Sequence, residues 1–247
     1  MQIGTIGIAP QGIMTGVKDI DAQLVGGVRA GSLVFIEGTS ASGKSVLCQH
    51  LVHSALNKNT HAVAYYSTKV DMKSRVNNME SLSLHALNHL LADNFRIYPL
   101  SLPIGPRPAM KAGYLLAHHI ANLPEKFDVV VIDSVTPYLA PLNPVQKADF
   151  FRDCKALCKT QRIVILTADP YVFEKETHPR IRFLCDYHLL LQLKTLRFQP
   201  DREEGRIIRK VYVRKIHGTD IENRPGIRFT VEPKLGITSF PFARVTI

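Results

Sequence analysis

The 247-residue chain predicts an α/β fold: a mostly parallel central sheet with helices on both faces and an antiparallel C-terminal edge. Three observations carry this prediction. Short aliphatic runs alternate with helical patterns through the first two thirds of the chain, as strand–helix–strand crossovers of a parallel sheet require. Between the first run and the helical pattern after it lies a glycine-rich loop, Gly38-Thr39-Ser40-Ala41-Ser42-Gly43-Lys44-Ser45. From Tyr187 onward the strand-like runs are separated by polar, glycine-containing turns, which favour antiparallel pairing.

Taken in order, Met1 to Ile13 reads as a short strand or arm, with alternating apolar residues and several glycines. Thr15 to Leu24 holds a short helix, and Gly26-Gly27 turns the chain into the first central strand at Leu33 to Ile36. Gly38 to Ser45 then fits G-x-x-x-x-G-K-[ST], the Walker A phosphate-binding loop, in its expected place between strand and helix. Its glycines let the backbone curl so that N–H groups point inward, and the next helix adds the partial positive charge of its N-terminus. Such a loop is an anion cradle. Lys44 is placed to reach the β- and γ-phosphates, and the Ser45 hydroxyl to take one position on Mg²⁺.

Val46 to Leu56 continues as that helix, with Leu47, Leu51 and Leu56 inward, and His61 to Ser67 is the second strand. Helices are expected at Met72 to Met79, Leu82 to Leu91 and Met110 to Leu123, a strand near Phe95 to Tyr98, and a loop at Pro103, Pro106 and Pro108. Val129 to Ile132 is an aliphatic strand ending in Asp133. Downstream of a phosphate loop, an acid there holds the Mg²⁺ water shell; as a bare strand end it would cap the next turn. Pro144 to Lys159 reads as a helix, and Arg162 to Leu166 as a buried strand ending at Thr167. A hydroxyl at that edge is either a γ-phosphate sensor or ordinary strand chemistry. Tyr187 to Leu196, Ile207 to Ile216 and Ile227 to Val231 follow as strands, with turns at Asp201 to Gly205 and Asn223 to Gly226.

Composition bounds the remaining choices. The net charge of +10 is uneven, residues 191–247 holding twelve Lys/Arg against six Asp/Glu. That excess suits nucleic acid, an anionic membrane face or an acidic partner without choosing among them. No aliphatic run approaches bilayer length and no charged-then-apolar leader opens the chain, so a cytoplasmic location is expected. Cys48, Cys154, Cys158 and Cys185 are scattered, which suits reduced, buried thiols better than a metal site. His85 and His89 share a helix face at i, i+4 but lack a third ligand and read as a solvated face, as does His118-His119.

Further strings carry a family resemblance from Thr15 to the C-terminus: Thr15-Gly16 with Gly26-Gly27 and Gly31-Ser32; Ile36-Glu37-Gly38 to Ser45; Ser67-Thr68; Asp133-Ser134; Thr167 with Pro170 and Phe173; Arg180-Ile181-Arg182; Cys185-Asp186; Val213-Arg214-Lys215; and Glu232-Pro233 with Gly236-Ile237. On these residues the chain resembles a KaiC-like member of the RecA ATPase superfamily, and its late strings are most similar to the FlaH (ArlH) family of archaellum accessory proteins. The resemblance implies one RecA-like domain over residues 1–247 that binds ATP and Mg²⁺. It implies ATP at a subunit boundary in a homo-oligomeric ring, a hexamer being the expected size. It also implies docking on the motor ATPase FlaI and the membrane platform protein of an archaellum-type motility system, at the inner face of the membrane. In that frame Gly38 to Ser45 bind the phosphates, Ser45 and Asp133 serve Mg²⁺ (the latter through water), Thr167 senses the γ-phosphate and Lys215 acts on a neighbour's nucleotide.

Two departures from the family pattern bear on mechanism. Hydrolytic relatives carry acidic residues directly after the second strand, to align the attacking water; here those positions hold Lys69 and Val70. General-base help is worth about 10² to 10⁴-fold, so binding would persist while hydrolysis slowed, with Asp71 or Glu37 as substitute carboxylates. In addition, Lys215-x-His217-Gly218 replaces a Lys-x-Arg-Gly string, and an imidazole is a poorer cation than a guanidinium near neutral pH. The alternative from another class is a RecA/RadA-like DNA-binding ATPase, prompted by Arg209, Lys210, Arg214 and Lys215 around Tyr212. No base-reading helix or stacking platform accompanies that charge, and nucleic acid is the less favoured partner.

Overall fold

The computed structural model describes residues 12–57, 61–101, 106–195, 207–221 and 224–240. Residues 1–11 of the expected Met1 to Ile13 arm, the loop at Pro103, the Asp201 to Gly205 turn and Asn223 lie outside the described residues.

The chain opens on a turn built around one carboxylate. Asp21 of α1 (Lys18–Leu24) accepts hydrogen bonds from the backbone and hydroxyl of Thr15 and from Gly16 N, at 2.6, 2.7 and 2.9 Å. β1 (Leu33–Gly38) leads through the glycine-rich loop into α2 (Lys44–Asn57), and β2 (Val63–Ser67) into α3 (Met72–Ser81). The helix expected over Leu82 to Leu91 is shorter: α4 spans Leu87–Leu91. Ser83 enters the left-handed region (φ 58°) while Leu84 N bonds back to Met79 O, and this closure ends α3 and separates the two helices. β3 (Phe95–Pro99), α5 (Pro106–Ala121), β4 (Val129–Asp133) and α6 (Thr136–Leu139) follow. α7 (Pro144–Leu157) starts on a capping box in which Asn143 and Gln146 bond each other's backbone N–H. β5 (Ile163–Ala168), α8 (Thr177–Leu184), β6 (Tyr187–Thr195), β7 (Ile207–Ile216), β8 (Thr219–Asp220), β9 (Ile227–Glu232) and β10 (Gly236–Phe240) complete the described chain.

The sheet runs β10-β9-β7-β6-β1-β5-β4-β2-β3, with β8 on β7. Pairing from β6 through β3 is parallel; β7, β8, β9 and β10 are antiparallel, as the turn chemistry requires. Both faces are covered. Val34 and Ile36 pack with α1, α2 and α3 on one face, while Leu33 and Phe35 pack with α5, α6, α7 and α8 on the other. Central strands buried on both faces explain the uninterrupted aliphatic runs in the sequence. The four cysteines are buried and free.

Among the described residues, no helix is long and apolar enough to cross a membrane.

Candidate functional site

Parallel register gathers the site. Ile36 of β1 pairs with Thr167 of β5, Ile132 of β4 with Leu166, and Ser67 of β2 with Asp133, so Gly38, Thr167, Asp133 and Ser67 end on one carboxyl edge. This is the edge where open α/β sheets place ligands. The loop needs its glycines there. A Cβ on Gly38 would stand 2.5 Å from Ser42 Oγ and 2.6 Å from Leu191 O, and Gly43 sits at φ +100° against the Phe229 ring.

Above the loop lies a cleft lined by Ala41 to Val46 with Lys69, Arg209 and Val231. Lys44, Lys69 and Arg209 give it three cations, and α2 ends on it with the unpaired N–H groups of its first turn. The Ser42 hydroxyl is buried with no partner, a donor awaiting an acceptor. This lining fits a polyphosphate. Ser45 Oγ lies 3.1 Å from Asp133 Oδ1, a pair of hard oxygen donors of the kind Mg²⁺ takes.

Two cations already have carboxylate partners. Lys44 Nζ sits 2.6 Å from Asp169 Oδ1 and also donates to the carbonyls of Gly38 and Thr39. Asp133 is buried and fully engaged. Its Oδ1 accepts from Thr167 Oγ1 at 2.8 Å and from Ser45 Oγ; its Oδ2 accepts from the Tyr65 phenol at 2.7 Å and from Arg75 Nη2 at 3.0 Å. Arg75, on α3 and 2% exposed, also stacks 4.6 Å above the Tyr65 ring. Burial, and next the Asp133 charge, push the Tyr65 phenol well above its ordinary pKa and keep it a donor.

The substitute carboxylates are otherwise occupied. Lys69 lines the cleft, and the Val70 carbonyl accepts from Ser67 Oγ at 2.7 Å. Asp71 caps α3 by accepting from Ser74 N at 2.7 Å, and that bond holds its pKa below the ordinary carboxylate value. Glu37 faces away from α2, on the Phe35 side of the sheet, where His178 and His188 contact both of its oxygens. Burial opposes its charge, but those hydrogen bonds outweigh burial and bring its pKa down to about 2.

The structure therefore brings Gly38 to Ser45, Asp133 and Thr167 together, and sets Lys215 apart from them. Lys215 Nζ donates to the carbonyls of Arg182 and Phe183 at the end of α8, at 2.9 and 3.0 Å. His217 Nδ1 lies 2.6 Å from the Tyr187 hydroxyl. Sequence reasoning misses Asp169, Arg75 and Arg209. Asp169 follows Thr167 by two residues and so carries a positional signal; Arg75 carries none, since an Arg in a polar helix reads as solvent-facing. Arg209, which donates to Ala41 O at 2.9 Å, reaches the loop only through the register of β7. His85 pairs with Glu80 at 2.8 Å, and His119 with the Tyr66 hydroxyl at 2.7 Å.

Known proteins share the family and the fold of this chain. FlaH, the archaeal flagellar ATP-binding protein of Methanocaldococcus jannaschii, is 28% identical over 220 residues, 89% of this chain and 91% of that protein. The FlaH of Sulfolobus acidocaldarius is 26% identical over 94% of this chain and 97% of that protein. The crystal structure of the flagellar accessory protein FlaH from M. jannaschii matches with a TM-score of 0.72 at 24% identity, over 93% of this chain and 98% of that chain. A KaiC-like protein of Pyrococcus horikoshii matches with a TM-score of 0.67 at 17% identity, covering 93% of this chain and 98% of that chain. The fold is that of the RecA-like KaiC and FlaH proteins. The KaiC ATPase family model matches residues 13–241, almost the whole chain, and the chain belongs to that family.

Proposed function

We propose that the chain, as one ATP-binding domain over residues 1–247, is a regulatory and assembly component of an archaellum-type motor. ATP occupancy controls its oligomerisation and its binding to the motor ATPase FlaI and the membrane platform protein, and hydrolysis is slow or absent. One observation carries the reading: the phosphate cradle is intact while the cleft presents Lys69 where a water-activating acid would stand. The FlaH names of the relatives point to the cellular system.

In this reading Gly38 to Ser45 hold the phosphates, and Ser45 with Asp133 would hold Mg²⁺, which supplies charge neutralisation at the phosphates. Thr167, tied to Asp133, reports the γ-phosphate. Asp133 is a poor candidate for activating water, since four donors already surround it. Lys215 acts across a subunit boundary in a ring, leaving its α8 carbonyls to do so. A cytoplasmic location at the inner membrane face follows from the same reading.

Binding of Mg·ATP to the wild type and to Lys44→Ala tests it. The variant is expected to lose about 10- to 100-fold in affinity, the worth of charge-assisted hydrogen bonds, and unchanged affinity overturns the site. Turnover faster than about 1 s⁻¹, within the ordinary enzyme range, overturns slow hydrolysis. The DNA-binding alternative rests on the basic residues of β7, Arg209, Lys210, Arg214 and Lys215. It predicts salt-dependent binding and DNA-stimulated turnover, and absence of binding at low salt removes it.

A further inference from the structure

The carboxylate excluded above as a water-activating base has a setting of its own. Glu37 comes from β1, His178 from α8 and His188 from β6. His178 Nε2 lies 2.8 and 2.9 Å from the two Glu37 oxygens, and His188 Nε2 lies 2.9 Å from Oε2. The three donor atoms fall within 4.8 Å of one another. Aromatic rings enclose them: Phe35 stacks on His188 at a centroid distance of 5.2 Å, and Phe173 lies 5.9 Å from His178. Glu37 and His188 are 3% and 2% exposed, while the His178 side chain is 30% exposed and forms the way in.

Charge makes this cluster unlike a spare hydrogen-bond triad. A buried carboxylate is costly without a cation, and among the described residues the ion-pair partners of Glu37 are these two imidazoles, with no Lys or Arg. Two imidazoles and one carboxylate form a donor set suited to Zn²⁺ and its first-row neighbours, and a poor one for Mg²⁺ or Ca²⁺.

We propose that Glu37, His178 and His188 form a binding site for a divalent first-row transition ion of the zinc type, open to a water ligand on the His178 side. The site lies on the opposite face of the sheet from Ser45 and Asp133, and is distinct from the nucleotide's own metal. Coordination through His188 Nε2 leaves the proton on Nδ1, which is buried and has no acceptor. Such outer partners are worth about 10- to 100-fold in affinity, so binding is weaker than in a structural zinc site by roughly that factor. Because Glu37 directly precedes Gly38, the ion ties α8 and β6 to the strand that feeds the phosphate loop.

The test uses the full chain, stripped with chelator and free of nucleotide, titrated with Co²⁺ alone. A saturable visible absorption at one ion per chain, displaced by Zn²⁺, is expected. It should vanish in His178→Ala and in Glu37→Gln and persist in Lys44→Ala. His178 is the most exposed of the three, so its variant is the one most expected to fold, and circular dichroism checks this. Zn²⁺ should also raise the melting temperature of the wild type and leave that of His178→Ala unchanged. No saturable absorption in the wild type, or an absorption that survives in both cluster variants, overturns the site. Neither result depends on ATP, so failure here leaves the nucleotide reading standing.

Discussion

Glu37 and Gly38 are neighbours at the end of β1, yet the two faces of the sheet beside them handle charge in opposite ways. On the α2 face the two carboxylates nearest the loop each meet a permanent cation: Asp169 faces Lys44, and Asp133 faces Arg75. On the other face Glu37 meets two imidazoles, whose charge depends on a proton or a bound ion. Under the proposed function, a face balanced in advance makes the ligand exchange partners, since Lys44 would give up Asp169 to hold a phosphate. Glu37, without a Lys or Arg partner among the described residues, instead waits for a cation.

The strongest way to break this comparison is Arg75→Met. It leaves Asp133 buried without its counter-ion, and removing one partner of such a pair costs about 3–5 kcal/mol. The measurement is the urea midpoint of unfolding. Adding Asp133→Leu removes the stranded charge and should recover most of the loss. A cost below about 1 kcal/mol for the single variant would put the pair in the class of solvated surface bridges and end the claim that this face is balanced by burial.

A smaller effect sharpens the same point. Tyr65→Phe deletes one donor to Asp133 and keeps Arg75 in place, and a hydrogen bond to a charged group is worth about 1.5–3 kcal/mol. In an Arg75→Met background the loss should grow, because the phenol is then the remaining donor to Oδ2. Simple additivity of the two changes would mean that the groups around Asp133 act independently.

The parts of this arrangement that were legible in the sequence share a cause. The phosphate loop, Asp133 and Thr167 each follow an aliphatic run, and a strand that announces itself also fixes where its carboxyl end falls. α8 was not legible: its Thr177–Leu184 stretch is short, contains Pro179 and buries only Thr177 and Ile181, so no apolar period marks it. Arg75 was hidden because helical spacing predicts an apolar residue one turn before Met79, and the fold seats a cation there for the sake of Asp133. Glu37 is the weaker of the two substitute carboxylates that the sequence offers, and strand alternation sends it to the face opposite Ser45 and Asp133. Its pairing with His178 and His188 joins residues far apart in sequence, and no spacing rule reaches across that distance.

The smallest expected effect is the most informative about the nucleotide. Asp169→Asn removes the anion that holds Lys44, while the carbonyls of Gly38 and Thr39 remain to position the amine. Stability should fall by no more than about 1 kcal/mol, since the lysine keeps those acceptors. Nucleotide affinity should rise by about 5- to 10-fold, because the phosphates no longer displace a carboxylate, a change of roughly 1–1.4 kcal/mol in binding. Calorimetric titration with ATP and ADP in wild type and variant measures it. Unchanged affinity with a sharp loss of residual turnover would give the opposite lesson: Asp169, the acid nearest Lys44, would then supply the function that Lys69 cannot, and the balanced face would be catalytic rather than merely poised.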